Sequence, residues 1–115
     1  MNPSTKVQIS DLVGPALDWA VAKCEGESLA PQCWYLYGYT SSWEKTGRLI
    51  DRFEIDLKSI GDGVWEASNV FDDLAYRHFI GPTPIVAALR CVVAMRLGEE
   101  VEVPDELVKD TAITA

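Results

Sequence analysis

The apolar positions of this chain change their spacing along its length, and each spacing predicts an element. Leu17, Ala20, Val21 and Cys24 recur at i, i+3, i+4 and i+7, one face of a helix over about 15–24. Pro15 suits its first turn and Gly26 its end. Trp43, Gly47, Ile50 and Phe53 give a second helical stripe over about 42–52, with Ser42 placed to cap it. Gly47 costs this helix about 1 kcal/mol relative to Ala, so we expect it to let the helix cross a neighbour closely. The spacing then switches. Glu54-Ile55-Asp56-Leu57-Lys58 alternates, Gly61-Asp62-Gly63 turns, and Val64-Trp65-Glu66-Ala67-Ser68 is extended again. That pattern predicts an antiparallel hairpin over about 54–69 with one face on the core. A further strand is expected over 75–80. Val7-Gln8-Ile9 reads as a short edge strand or as a tether, and Val101 and Val103 anchor the stretch before a final turn at 104–107.

The most apolar element is predicted at 84–97. Thr83 is an N-cap, Pro84 fits the first helical position, and Gly98 is placed for a left-handed C-cap. Between them only Arg90 and Arg96 are charged, which predicts burial on more than one side. Ile85, Val86, Leu89, Val93 and Leu97 form a large-residue face suited to a sheet. Ala87, Ala88, Cys91 and Ala94 form a small-residue face suited to a helix. Arg90 stands at the edge of the large face. A guanidinium buried there needs a carboxylate or several carbonyls. Asp18 and Asp51 are the candidate carboxylates, and a structural ion pair is preferred to a ligand-binding arginine. The sum is an α+β fold: a small antiparallel sheet packed with two to three helices, without parallel βαβ units.

Composition narrows the function classes. The 115 residues predict one domain, with flexible ends at 1–6 and 109–115, and the apolar fraction of 48% suffices for a core. A net charge of −8 argues against direct nucleic-acid binding, which needs a basic face. The acids are scattered, which favours a solvated surface over charge mimicry of nucleic acid. Cys24, Cys33 and Cys91 match no CxxC or zinc spacing and read as reduced, buried thiols. No apolar run is long enough to span a membrane and the N-terminus lacks a signal-peptide core, so a cytoplasmic protein is expected. His78 is the single histidine, and no nucleophile elbow, Walker loop or dinucleotide fingerprint is present. Asp72 and Asp73 are adjacent acids in a loop, which usually face water. We therefore expect no metal, no cofactor and no catalytic centre. The aromatic stretch 33–39 reads as extended and is assigned to the core rather than to an exposed surface.

Several blocks resemble the NinX-like proteins of tailed bacteriophages. Ala16-Leu17-Asp18-Trp19-Ala20-Val21-Ala22-Lys23 looks like that family's opening. Tyr39-Thr40-Ser41-Ser42-Trp43, with Gly47 and Ile50-Asp51-Arg52 after it, resembles its Tyr-Ser-Thr-Asp-Trp segment and the Ile-Ile-Glu-Arg that follows. Trp65-Glu66-Ala67 is similar to its Trp-x-Ala strand. Gly81-Pro82-Thr83-Pro84, Ala87-Ala88-Leu89-Arg90-Cys91 and the stretch 98–107 look like its closing block. The resemblance covers most of 12–107. It implies a small phage accessory protein, related in pattern to a phage α-β-α sandwich domain, and carries no biochemistry. Where the family has an acidic residue before the tryptophan, this chain has Ser42, so no carboxylate role transfers to that place.

Three functional readings follow. The first is a non-enzymatic phage protein that binds a host component, one form being inhibition of a host defence or nucleic-acid enzyme. The second is a small-anion or nucleotide binder, with Tyr39, Ser41, Ser42, Trp43, Thr83 and Arg90 lining one pocket between two helix N-termini. Against it stands the simpler reading that Ser42 and Thr83 cap their own helices. The third is self-association through aromatics such as Trp34 and Tyr35.

Overall fold

The central helix, α3 (Pro84–Leu97), is closed at both ends by local chemistry. The extended Thr83 accepts a hydrogen bond from Val86 N at 3.1 Å through its hydroxyl. Gly98 ends the helix at φ 96°, ψ −170°. That is positive φ, as expected, but in the glycine-only extended region rather than the left-handed helical one. Every residue from 87 to 94 is buried. These observations come from a computed structural model that describes residues 4–26, 38–71 and 74–108. The expected aromatic stretch at 33–37, the acids Asp72 and Asp73, and the chain ends at 1–3 and 109–115 lie outside the described residues, and so do Trp34 and Tyr35.

α3 is buried all round because two kinds of layer meet it. On the sheet side it packs against β3 (Val64–Val70) and β4 (Tyr76–Gly81), which with β2 (Asp56–Gly61) form an antiparallel sheet in the order β2-β3-β4. It also packs against α1 (Gly14–Cys24) and α2 (Trp43–Phe53). The β2–β3 hairpin turns through Asp62 at φ 55° and Gly63 at φ 73°. Two left-handed residues between paired strands are the type I′ arrangement whose twist suits a hairpin. A second antiparallel sheet pairs β1 (Ser4–Gln8) with β5 (Glu100–Pro104), from Ser4 opposite Pro104 to Gln8 opposite Glu100. β1 therefore begins at Ser4, inside the stretch expected to be loose and ahead of the expected 7–9. Ser-Thr-Lys-Val-Gln is too polar to show its period, and its partner lies at the far end of the chain. Residues 105–108 make a helical turn that buries Leu107. The fold is α+β, with all described strand pairs antiparallel.

Two helix expectations need correction. α2 does not bury Trp43, which is 56% exposed. Its inward face carries Thr46 and Leu49, with Ile50 and Phe53 beside them. Thr46 can be buried because its hydroxyl donates to the Tyr39 carbonyl at 2.9 Å. Nor does Gly47 mediate a close crossing, since a Cβ there would meet nothing within 4 Å. The close approach is at Gly81, where a Cβ would lie 2.7 Å from Ala87 N. That neighbour is backbone and cannot swing away, so β4 meets the first turn of α3 only through glycine.

Candidate functional site

Arg90 defines the first site. It is 7% exposed, and its guanidinium stitches two segments together. Nε donates to the Leu12 carbonyl at 2.9 Å and Nη1 to the Ile80 carbonyl at 2.8 Å. The expected ion pair is absent. Asp18 instead accepts from Thr40, from the backbone N–H at 2.7 Å and the hydroxyl at 3.1 Å. Asp51 is exposed on α2. Carbonyls solve the burial of Arg90, and no carboxylate among the described residues lies within ion-pair distance of it. Burial lowers the Arg90 pKa, with the nearby Asp11 charge opposing that shift. Arginine remains charged at neutral pH all the same.

This charge borders a cavity of about 230 Å³ at the seam between the two sheets. Gln8, Ile9 and Ser10 form one wall, residues 78–80 of β4 another, and Arg90 and Glu99 complete the lining. Nη2 of Arg90 makes no hydrogen bond among the described residues. No buried side-chain nitrogen lacks a partner there, so Nη2 is the part of the guanidinium that is open.

A second cavity, about 330 Å³, is lined by Glu25, Tyr39, Lys45, Arg48, Leu49 and Arg52. Lys45, Arg48 and Arg52 recur at i, i+3 and i+7, so α2 turns three cations towards it. Each is engaged within the protein. Lys45 lies 5.5 Å over the Tyr39 ring, Arg48 pairs with Glu44 at 2.8 Å, and Arg52 pairs with Glu25. This stripe was legible in the spacing, although the aromatic residues beside it drew the sequence reading instead.

Of the six residues expected in one pocket, Tyr39 lines the α2 cavity and Arg90 the seam cavity, while Ser41, Ser42, Trp43 and Thr83 line neither of these two. Ser41 donates to the Gly38 carbonyl at 3.1 Å. Ser42 accepts from Lys45 N at 3.1 Å, so it caps α2 as Thr83 caps α3.

The third feature is the solvent side of the β2-β3-β4 sheet. Tyr76, His78 and Ile80 alternate outward along β4, opposite Val70, Ser68 and Glu66 of β3. The Tyr76 hydroxyl donates to the Asp56 carboxylate at 2.8 Å. Its single proton is then committed, so at 2.8 Å Ser68 must donate to Tyr76. His78 Nδ1 lies 3.3 Å from a Glu66 carboxylate oxygen, and its ring meets Tyr76 edge-on at 4.9 Å. The sequence placed a strand here, but the outward apolar residues were not singled out. Elsewhere, burial pushes the Cys24 and Cys91 thiols up to about 12. Among the described residues no cluster of three or more His, Cys, Asp or Glu could hold a metal ion. No described helix is long and apolar enough to cross a membrane.

A family model described as Bacteriophage P22, NinX matches residues 8–96, well over half of the chain. No curated protein matches it. The match takes in α1, α2, the hairpin, β4 and all of α3 but its last residue, and the chain belongs to this phage family.

Proposed function

We propose that this NinX-family protein, a phage accessory protein, works without chemistry of its own by docking a host protein on the solvent side of the β2-β3-β4 sheet. One observation carries the reading. Of the six large apolar side chains exposed among the described residues, Ile60, Val70, Leu74, Tyr76 and Ile80 lie on this sheet or its β3–β4 loop. Clustered apolar exposure of this kind marks interaction surfaces. Several polar groups between them already engage one another, Ser68 with Tyr76, Tyr76 with Asp56 and His78 with Glu66. Covering these leaves no unpaired group, and Lys58, opposite Glu66 on the same side, calls for an acidic group on the partner. The groups that carry chemistry elsewhere are committed to structure: the two described thiols are far from ionised at neutral pH, and Ser42 and Thr83 cap helices. Those caps also weaken the reading of two helix starts as an anion site.

The test compares tagged wild type with an Ile60→Glu/Val70→Glu variant and a Trp43→Ala variant in host lysate, at low and moderate salt. A host protein held by the wild type and by Trp43→Ala, and lost with the double variant, supports the sheet face. Equal capture by all three, or no enriched protein with the wild type, overturns it.

A further inference from the structure

We infer that the seam between the two sheets is a separate binding site, built to receive the C-terminal carboxylate of an extended peptide. The phase of the β3–β4 ladder decides which backbone groups of β4 are free. Phe71 N donates to the Ala75 carbonyl at 2.9 Å, which makes 71/75 a bonded pair. In an antiparallel ladder bonded and non-bonded pairs alternate. Hence 69/77, 67/79 and 65/81 are bonded, while 70/76, 68/78 and 66/80 are not. Residues of non-bonded pairs turn their N–H and C=O away from the partner strand. β4 is an edge strand, so the backbone groups of His78 and Ile80 point out of the sheet at its free edge. The bond from Arg90 to the Ile80 carbonyl agrees with this phase. His78 N–H and C=O and Ile80 N–H have no backbone partner among the described residues.

Those three groups belong to residues that line the seam cavity, and an extended peptide is the ligand whose chemistry matches them. β4 carries neither proline nor lysine to block its edge. The buried Arg90, with Nη2 open, stands beside the same edge. At about 230 Å³ the cavity is smaller than the ~300–1,000 Å³ of pockets that enclose drug-sized ligands. It therefore suits the end of a chain, and the anion at that end is a carboxylate. Glu99 in the lining opposes a second negative charge, which disfavours phosphate. This site uses the backbone edge of β4 rather than the solvent side of the sheet; His78 and Ile80 belong to both, and the edge site survives if that face binds nothing.

The probe is a fluorescein-labelled pool of random hexapeptides with free C-terminal carboxylates, set against the same pool as C-terminal amides. Fluorescence polarisation on the full chain is expected to show the acid pool binding at least about tenfold tighter, because a charge-assisted bond is lost in the amide. Hydrogen exchange should slow at His78 N–H and Ile80 N–H on binding. Inorganic phosphate should compete poorly, and the Ile60→Glu/Val70→Glu variant should bind the peptides as wild type does, which separates this test from that of the sheet face. Equal binding of acids and amides, binding without protection at His78 and Ile80, or no binding at millimolar peptide each overturns the inference.

Discussion

Asp18 in α1 and Arg90 in α3 are the charged residues of the described interior, 2% and 7% exposed, and the one other charged residue of each helix, Lys23 or Arg96, is exposed in its last turn. Their surroundings differ in reach. Both Asp18 oxygens accept from Thr40, and the backbone of Tyr39 adds to them, so the ion pins the short turn Tyr39–Ser41 against α1. Arg90 spends two donors on carbonyls from two distant segments, leaves Nη2 unbonded among the described residues, and lines a cavity. Asp18 is a closed structural knot, whereas Arg90 is a stitch with a spare end. Carbonyl partners satisfy the geometry of a guanidinium without cancelling its charge, and that leaves a field for a ligand to use.

Removing each knot separates the two cases. Arg90→Met leaves the Leu12 and Ile80 carbonyls without their donor. An unmet buried polar group costs about 1–3 kcal/mol, partly offset here by the loss of a buried charge. We expect a loss of about 2–5 kcal/mol, read from urea unfolding by an intrinsic tryptophan signal. A midpoint unchanged within error would mean that Arg90 holds nothing together and exists only for the cavity. Thr40→Val is milder, because the backbone N–H bond to Asp18 survives and only the hydroxyl bond is lost. A loss of about 1 kcal/mol at neutral pH is expected, and a loss equal to that of Arg90→Met would erase the distinction between the two sites.

How far the sequence could anticipate this depends on the range of each interaction. α3 was legible because Thr83, Pro84, Gly98 and the apolar run between them act within a turn or two of one another. The hairpin was legible because alternation and an Asp-Gly turn are local signals. β1 was only half legible, since Ser4 finds its partner at Pro104. The inward face of α2 was misjudged because the size of Trp43 suggested core, while Thr46 was admitted by a carbonyl that no pattern announces. The partners of Arg90 were missed for the same reason: every residue has a carbonyl, so Leu12 and Ile80 leave no mark in the sequence. The free edge of β4 depends on ladder phase, which pattern alone cannot assign.

The smallest expected effect is also the sharpest test of the Asp18 knot. Burial raises the Asp18 pKa above its usual 3.8, against the lowering effect of the two Thr40 bonds, the Lys45 charge and a backbone bond from Tyr39. The folded protein then holds the Asp18 proton more tightly than the unfolded chain does. Below the unfolded value both states are protonated and there is no cost. As pH rises through the interval between the unfolded and folded values, the unfolded state loses its proton first and this group's contribution to stability falls. Above the folded value the cost is complete and constant. Asp18→Asn removes the ionisation, keeps an oxygen for Thr40 N–H, and lets the Thr40 hydroxyl accept from the new amide. The difference in unfolding free energy, Asn variant minus wild type, should therefore rise with pH over that interval and be level on either side. Urea unfolding of both proteins in steps from pH 3 to pH 7 reads it, because the other carboxylates cancel in the difference. A difference that falls with pH would show that the Thr40 bonds outweigh burial and hold the carboxylate below its ordinary range. Asp18 would then be a stabilising charge, and the contrast with Arg90 would rest on the open donor alone.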